Sequence, residues 1–402
     1  VGHIGDIVEN VPIPGGNRLL TRSWDGSARL WDLRNGQILC RQVSDWISFV
    51  TGSEGLVGAF DESTKKLTLQ RLVSESVVRE LPHQADDRVI GPETVSFSPD
   101  GRLLVSTAAD GARFWHVHDG RPAGFLEQPM GQAAFDSKGD LLTETQPGTG
   151  VQMRTVLLGT NGLVELGPRS VRHPGPAAYF RRTSADDRIW LDRAAGHLRL
   201  NIRLQDDREL ALVAGVNGVP EKLEGLGFLE ISPDGKWIYA ATRFENRAWI
   251  WEAATGRQIL DLPIRQGATG LFVSGGNRIL IGDYDRYRMI EIPEGRQLWS
   301  YERPQGGNIS GRSALSPDGA IVAALVDRST VALLDAATGA ELLTLEHPMR
   351  EAAAVLAFSP DATCLAVGHE THVVHLWDFT ALRRELTALG FGWEPGLESL
   401  GK

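Results

Sequence analysis

Cysteine is almost missing, and so is any long apolar run. Two cysteines in 402 residues, Cys40 and Cys364, are too few for a disulfide scaffold and lack metal-site spacing. Both read as small hydrophobes in strands. No stretch approaches the ~18 consecutive apolar residues a membrane span needs, so membrane insertion is not expected. Positive charge is in deficit, with 41 Lys and Arg against 51 Asp and Glu and a net charge of −10. A field of that sign repels phosphate backbones, which argues against nucleic acid as a partner. Residues Val1 to Asp6 have neither the basic start nor the apolar core of a secretory signal. The cytoplasm is favoured, although composition fixes no compartment. The sequence starts without Met, part-way through a repeating pattern, and reads as a fragment of something longer.

Motifs for chemistry are scarce as well. A Gly-x-Ser-x-Gly nucleophile elbow is absent. Gly396 to Lys402 fits most of a phosphate-binding loop, but it follows no strand, opens no helix and lacks the final Ser or Thr, so a frayed tail is expected. His369-Glu370-Thr371-His372 is too short for the two-histidine metalloprotease motif. It spans a turn, where His369 and His372 are expected to be solvated, while His375 lies in the next strand on the face of Trp377. His116-Val117-His118 stands where a repeat would carry an acid after its aromatic. No metal site or catalytic residue is assigned, and no cofactor is expected.

What the chain has is repetition. Phe97-Ser98-Pro99-Asp100-Gly101 returns at Ile231–Gly235 and Leu315–Gly319, and once more as Phe358-Ser359-Pro360-Asp361-Ala362. Weaker copies centre near residues 15, 53, 137, 184 and 275, which makes nine units spaced about 43 residues apart, the ~40–45 of a four-stranded propeller blade. Pro sets φ for the first central position of a tight turn, and Asp-Gly completes it. A short apolar strand precedes each turn and another follows. A third strand ends in an aromatic and an acid, as in Leu30-Trp31-Asp32, Ile250-Trp251-Glu252 and Leu376-Trp377-Asp378. Inner strands apolar on both faces suit a sheet packed between neighbours, and many short strands at even spacing predict an all-β propeller.

These residues resemble WD40-repeat proteins of the degenerate bacterial multidomain type, from about residue 3 to residue 379. The resemblance implies a hydrogen-bonded set of His, Ser or Thr, turn Asp and Trp in each blade. His3, Thr21 or Ser23, Asp25 and Trp31 match it in the first unit, and His83, Ser106, Asp110 and Trp115 in the third. Trp251 and Trp377 keep the aromatic without a clear turn Asp, and Leu334 replaces it in the eighth unit. The tail from Leu382 to Trp393 resembles the C-terminus of bacterial multidomain WD40 chains, which often carry a Ser/Thr kinase or other signalling module upstream. Quinone-cofactor dehydrogenase propellers are a second point of comparison. Their repeat carries Asp, Thr-Gly and a docking Trp four residues beyond that Gly. Asp335 to Gly339 fits its middle, but Leu343 and Leu260 hold the Trp position, and only Gly295 to Trp299 supplies the aromatic.

The ninth unit lacks a fourth strand. Thr380 is a candidate N-cap for a short helix from Ala381 to Leu389, stopped by Gly390, with Leu382, Leu386 and Leu389 on one face. An unpaired edge is a liability, and Val77 to Leu81 is positioned in sequence to fill it. Residues 77–379 would then form a seven-bladed ring, with 1–76 two extra units left from a preceding propeller and 380–402 a helix and tail. Rings of eight or nine blades remain alternatives.

Function is expected to lie on the surface. The turns between second and third strands hold Trp24, Arg243, Phe244, Tyr284, Arg286, Tyr287, Arg328, Glu370 and His372, and exposed aromatics and Arg dominate interface energetics. The resemblance implies a non-catalytic scaffold for a protein or peptide partner. The alternatives are a small-molecule, quinone or metal site in the central channel, and a structural spacer.

Overall fold

The computed structural model describes residues 3, 5–13, 18–25, 27–33, 37–43, 56–61, 66–71, 77–82, 93–128, 132–144, 151–173, 178–183, 189–194, 200–204, 209–212, 226–242, 246–273, 275–303, 310–346, 352–370, 373–388, 393 and 396–401. They divide into two compact units, Val1–Val78 with Glu346–Glu351, and Arg79–Leu345 with Ala352–Lys402.

The first unit holds a four-stranded antiparallel meander of β1 (Ile7–Ile13), β2 (Arg18–Ser23), β3 (Ser27–Asp32) and β4 (Gln37–Val43). It also holds the pair β5 (Leu56–Asp61) and β6 (Lys66–Arg71). Next in the chain is β7 (Val78–Pro82).

The second unit contains seven four-stranded sheets. Their strands are β8 (Thr94–Phe97), β9 (Leu103–Ala108), β10 (Gly111–His116) and β11 (Pro122–Glu127) in the first. The next combines β12 (Gln132–Phe135), β13 (Leu141–Glu144), β14 (Val151–Arg154) and β17 (Ser170–His173). Between its last two strands a hairpin is inserted, β15 (Val156–Leu158) and β16 (Val164–Leu166). The third is β18 (Ala178–Thr183), β19 (Ile189–Ala194), β20 (Leu200–Leu204) and β21 (Glu209–Leu212). The fourth is β22 (Leu226–Ile231), β23 (Trp237–Thr242), β24 (Arg247–Glu252) and β25 (Gln258–Pro263). The fifth is β26 (Thr269–Phe272), β27 (Arg278–Gly282), β28 (Arg286–Glu291) and β29 (Gln297–Glu302). The sixth is β30 (Ser313–Leu315), β31 (Ile321–Leu325), β32 (Thr330–Asp335) and β33 (Glu341–Glu346). The last is β34 (Ala353–Phe358), β35 (Cys364–His369), β36 (Val373–Asp378) and, from far back in the chain, β7.

The sheets have the form of propeller blades. The first strand of one lies beside the first strand of the next, in the pairs β18 with β22, β22 with β26, β26 with β30, β30 with β34, β34 with β8 and β8 with β12. These neighbour relations do not by themselves make a closed ring. The segment expected to complete the last sheet does so, and Arg79 in β7 ties itself to Asp378 at the end of β36 through a 2.8 Å ion pair. Middle strands are fully buried, β9, β31 and β35 along their whole lengths, as apolar runs sandwiched between sheets require.

The repeated turn is built the same way each time. Ser98 Oγ donates to Asp100 Oδ1 at 2.6 Å and accepts the Leu103 N–H at 2.9 Å. Ser232, Ser316 and Ser359 repeat the first bond at 2.7, 2.6 and 2.6 Å. Burial opposes ionisation of these carboxyls, but the serine O–H and following backbone N–H outweigh it. Asp100, Asp234, Asp318 and Asp361 therefore all ionise below the usual carboxylate range. The fourth copy keeps the geometry without glycine, for Ala362 holds φ at 58° where Gly319 has 73°.

A second contact joins neighbouring sheets. Trp299 of β29 lies over the turn after β32, where its indole N–H donates to Ala336 O at 3.0 Å. A Cβ on Gly339 would stand 2.6 Å from that indole. Leu260 of β25 sits over Gly295 in the same way, and Leu81 of β7 over Gly120. The docking position is thus filled by leucine as well as tryptophan, which is why searching it for tryptophan alone finds a single example.

The C-terminus departs from expectation. The helix α1 spans Phe379–Ala388 and is capped by Asp378, whose Oδ1 accepts the Ala381 N–H at 2.9 Å, rather than by Thr380. Leu389 and Gly390 lie outside the described residues. The tail is not frayed: Leu397 and Leu400 are buried in the core of the last two sheets, and Trp393 packs there and donates to Leu397 O.

Candidate functional site

The first sheet carries a connected polar network. Trp31 Nε1 donates to Thr21 Oγ1 at 2.7 Å, His3 Nε2 lies 2.7 Å from the same oxygen, and His3 Nδ1 lies 3.0 Å from Asp25 Oδ2. One proton assignment satisfies all three contacts, with Trp31 donating to Thr21, Thr21 to His3 Nε2, and His3 Nδ1–H to the Asp25 carboxylate. The hydroxyl in the set is that of Thr21. Ser23, the other candidate, instead accepts the Asp25 N–H at 3.1 Å and shapes the turn, because its position lies beyond the reach of the strand-borne indole.

Sequence reasoning missed Arg29, which is almost fully buried and reaches Asp25 Oδ2 at 3.4 Å. It stands two residues before Trp31. The same offset before Trp115 holds Arg113, which grips Asp110 with two bonds of 2.9 and 2.6 Å. Before Ile290 it holds Arg288, 3.6 Å from the buried carboxylate of Asp283. A strand-borne Arg facing the turn acid is therefore a recurrent element, and its signal was available as Arg two positions ahead of the third strand's last apolar residue.

In the sheet of β8 to β11, Trp115 Nε1 donates to Ser106 Oγ at 2.9 Å. His83 lies outside the described residues. Trp251 is fully buried and its indole N–H has no partner among the described residues; the same holds for Trp249, 6.0 Å away. The register explains this for Trp251. Thr21 lies opposite Arg29 and Ser106 opposite Arg113, and the corresponding residue opposite Trp249 is Ala240. We expect Ala240→Ser to supply the missing acceptor and raise stability by about 1 kcal/mol in denaturant unfolding. A loss instead would show that the hydroxyl cannot reach the indole.

Trp377 packs half-buried in the core of the last sheets. His369, expected to be solvated, is buried in β35 with its ring 4.3 Å from that of the equally buried His375. β35 runs on to His369, which therefore lies in the strand and not in the turn. Among the described residues no group of three or more His, Cys, Asp or Glu is arranged to hold a metal.

The candidate surface residues separate into four groups. Trp24 is 72% exposed. Tyr284 lies over Gly267, Arg286 reaches Glu302 at 3.6 Å, and Arg328 pairs with Glu370 at 3.2 Å across adjacent turns. Arg243, Phe244 and His372 lie outside the described residues. Tyr287 is a correction: it is fully buried, with its hydroxyl donating to Arg312 O and Leu325 O at 2.7 and 2.9 Å and its ionisation pushed above the ordinary phenol range by burial. The turn ends at Asp285, so Tyr287 is the second residue of β28 and points inward.

Residues 1–32 and 76–112 match the WD domain, G-beta repeat family, and they include the His3, Thr21, Asp25 and Trp31 set and, of the next, Ser106 and Asp110 but not Trp115. Residues 191–375 match the family described as outer membrane protein assembly factor BamB, and they hold the Leu260 and Trp299 docks. No curated protein matches the chain. No helix among the described residues is long and apolar enough to cross a membrane. The blade-like sheets among the described residues and the matches to two propeller families support a WD40-type repeat family.

Proposed function

We propose that this chain is a non-catalytic scaffold that binds a protein or peptide partner through exposed turns of its blades. On this reading it is a module of a larger bacterial signalling or regulatory protein with a kinase or similar module upstream. Residues 77–379 form its seven-bladed ring. WD40-type repeats generally act as scaffolds, in which a rigid framework presents variable turns.

Trp24 carries the reading. Its indole stands in solvent on a turn whose other members, Ser23 and Asp25, are fixed by hydrogen bonds on either side. A large aromatic held rigid before binding loses little freedom on contact, which suits an interface anchor. In the second unit, Tyr284, Arg286, Arg328 and Glu370 form a more polar set whose charges are already paired, and paired exposed charges contribute little affinity.

Capture of partners by the intact chain and by Trp24→Ala tests this. The variant is expected to keep the parent's melting temperature, because the side chain is exposed, and to lose partner capture about tenfold or more. Undiminished capture by a folded variant would remove Trp24 from the interface. The alternative, a small-molecule, quinone or metal site in the channel, draws support from the Trp299 dock and the BamB-like segment. That dock joins two sheets and offers no group to a ligand.

A further inference from the structure

Between the turns of the last sheet, those of the β8–β11 sheet and the tip of the β15–β16 hairpin lies a cleft of about 840 Å³. Its volume falls within the ~300–1,000 Å³ of small-molecule sites. Arg79, Arg102, His116 and His118 line it, with Thr160 on the hairpin and the acids Asp361 and Asp378 opposite.

The acids are already engaged. Asp378 accepts Arg79 on one oxygen and the first turn of α1 on the other. Asp361 Oδ1 accepts Ser359 Oγ, Thr363 N and Thr363 Oγ1. His116 Nε2 donates to Gly162 O at 2.7 Å, which fastens the hairpin over the cleft and fixes the ring. The groups left open are donors: the exposed Arg102, the exposed His118 and the Thr160 hydroxyl. Asp100, in the neighbouring turn, feels the charge of Arg102. Val117, Leu158 and Cys364 form an apolar wall, and burial pushes the Cys364 thiol up to about 11, which leaves it inert.

We propose that this cleft binds a small organic ligand through an oxyanion, phosphate or carboxylate, held by Arg102 and His118 with Arg79 and His116 behind them. Arg79 is tied to Val117 O and Asp378 and His116 to Gly162 O, so the donors turned to a ligand are those of Arg102, His118 and Thr160, in a chain of net charge −10. Planar guanidinium groups match either anion with paired bonds, and confinement in a cleft strengthens them. The histidine pair around Val117 would then be a binding feature rather than the remains of a lost acid. The site is separate from the turn that presents Trp24, so its failure would leave the scaffold reading untouched.

Calorimetric titration of the intact chain with inorganic phosphate and, separately, with succinate at low salt tests the proposal. Saturable binding of one anion per chain is expected, and the probe that binds identifies the oxyanion. The double variant Arg102→Gln, His118→Gln should melt with the parent, both side chains being exposed, and should bind at least tenfold more weakly. No saturable binding of either probe, or equal affinity in parent and variant, would overturn it.

Discussion

Asp25→Ala is expected to cost the first unit about 3 kcal/mol, because it removes the acceptor shared by two buried partners. The side chains of Asp25, His3 and Arg29 are 1, 2 and 6% exposed. Without the carboxylate, the Arg29 guanidinium keeps its charge in a place water hardly reaches, and His3 Nδ1 loses its partner. An exposed ion pair would cost under 1 kcal/mol for the same change. Asp25→Asn separates the two roles, since its amide oxygen still accepts from His3 but no longer neutralises Arg29, and it should lose less. Amide exchange in β1 to β3, read alongside urea unfolding, reports on this unit without interference from the other. A loss below about 1 kcal/mol would mean that water already screens the network.

The same network shows what sequence could and could not yield. Trp31 and the turn Asp25 are recognisable from their neighbours, and so is the choice of hydroxyls. Selecting Thr21 over Ser23 required the register, which sets Thr21 two residues from the position opposite Trp31 and on its face. Arg29 escaped notice because a strand Arg before an aromatic reads as a solvated residue. The approach of the turn acid helps offset the cost of its burial.

Turn placement governs the remaining differences. The Ser-Pro-Asp-Gly turns are fixed by local chemistry and stand where the sequence sets them. The turns between second and third strands have no such marker, so a shift of one or two residues changes an exposed side chain into a buried one. Tyr287 and His369 both moved inward for this reason. β7 was legible because a sheet short of one strand demands a donor, and the chain has an apolar segment just before the first of the seven sheets. The buried tail was not legible: Leu397 and Leu400 are separated by two residues, a spacing too short to distinguish a packed turn from loose chain. The His116 and His118 cleft draws on six separate segments, and no local pattern brings those together.

Gly311→Ala and Gly282→Ala are each expected to cost about 3 kcal/mol, at the upper end of overpacking. Here the segment leading into β30 approaches the end of β27 backbone to backbone. A Cβ on Gly311 would overlap the carbonyl carbon of Gly282, and one on Gly282 would overlap Gly311 O and the ring of Tyr287. Neither obstacle is the tip of a flexible side chain. Tyr287 is held by two hydrogen bonds, and Gly311 O accepts the Thr269 hydroxyl. The strands must separate to admit either methyl, which strips contacts from the buried residues around β27 and β31. Once one methyl has opened the gap, the second meets less resistance, so the double variant should lose clearly less than the sum of the two. Gly124→Ala is the control, since its Cβ would rest 3.4 Å from Val164 in ordinary contact. Denaturant unfolding of the four variants decides the matter. Additive losses would mean that the two glycines are needed for separate reasons, and losses no larger than that of Gly124→Ala would mean that the sheets already have room to part.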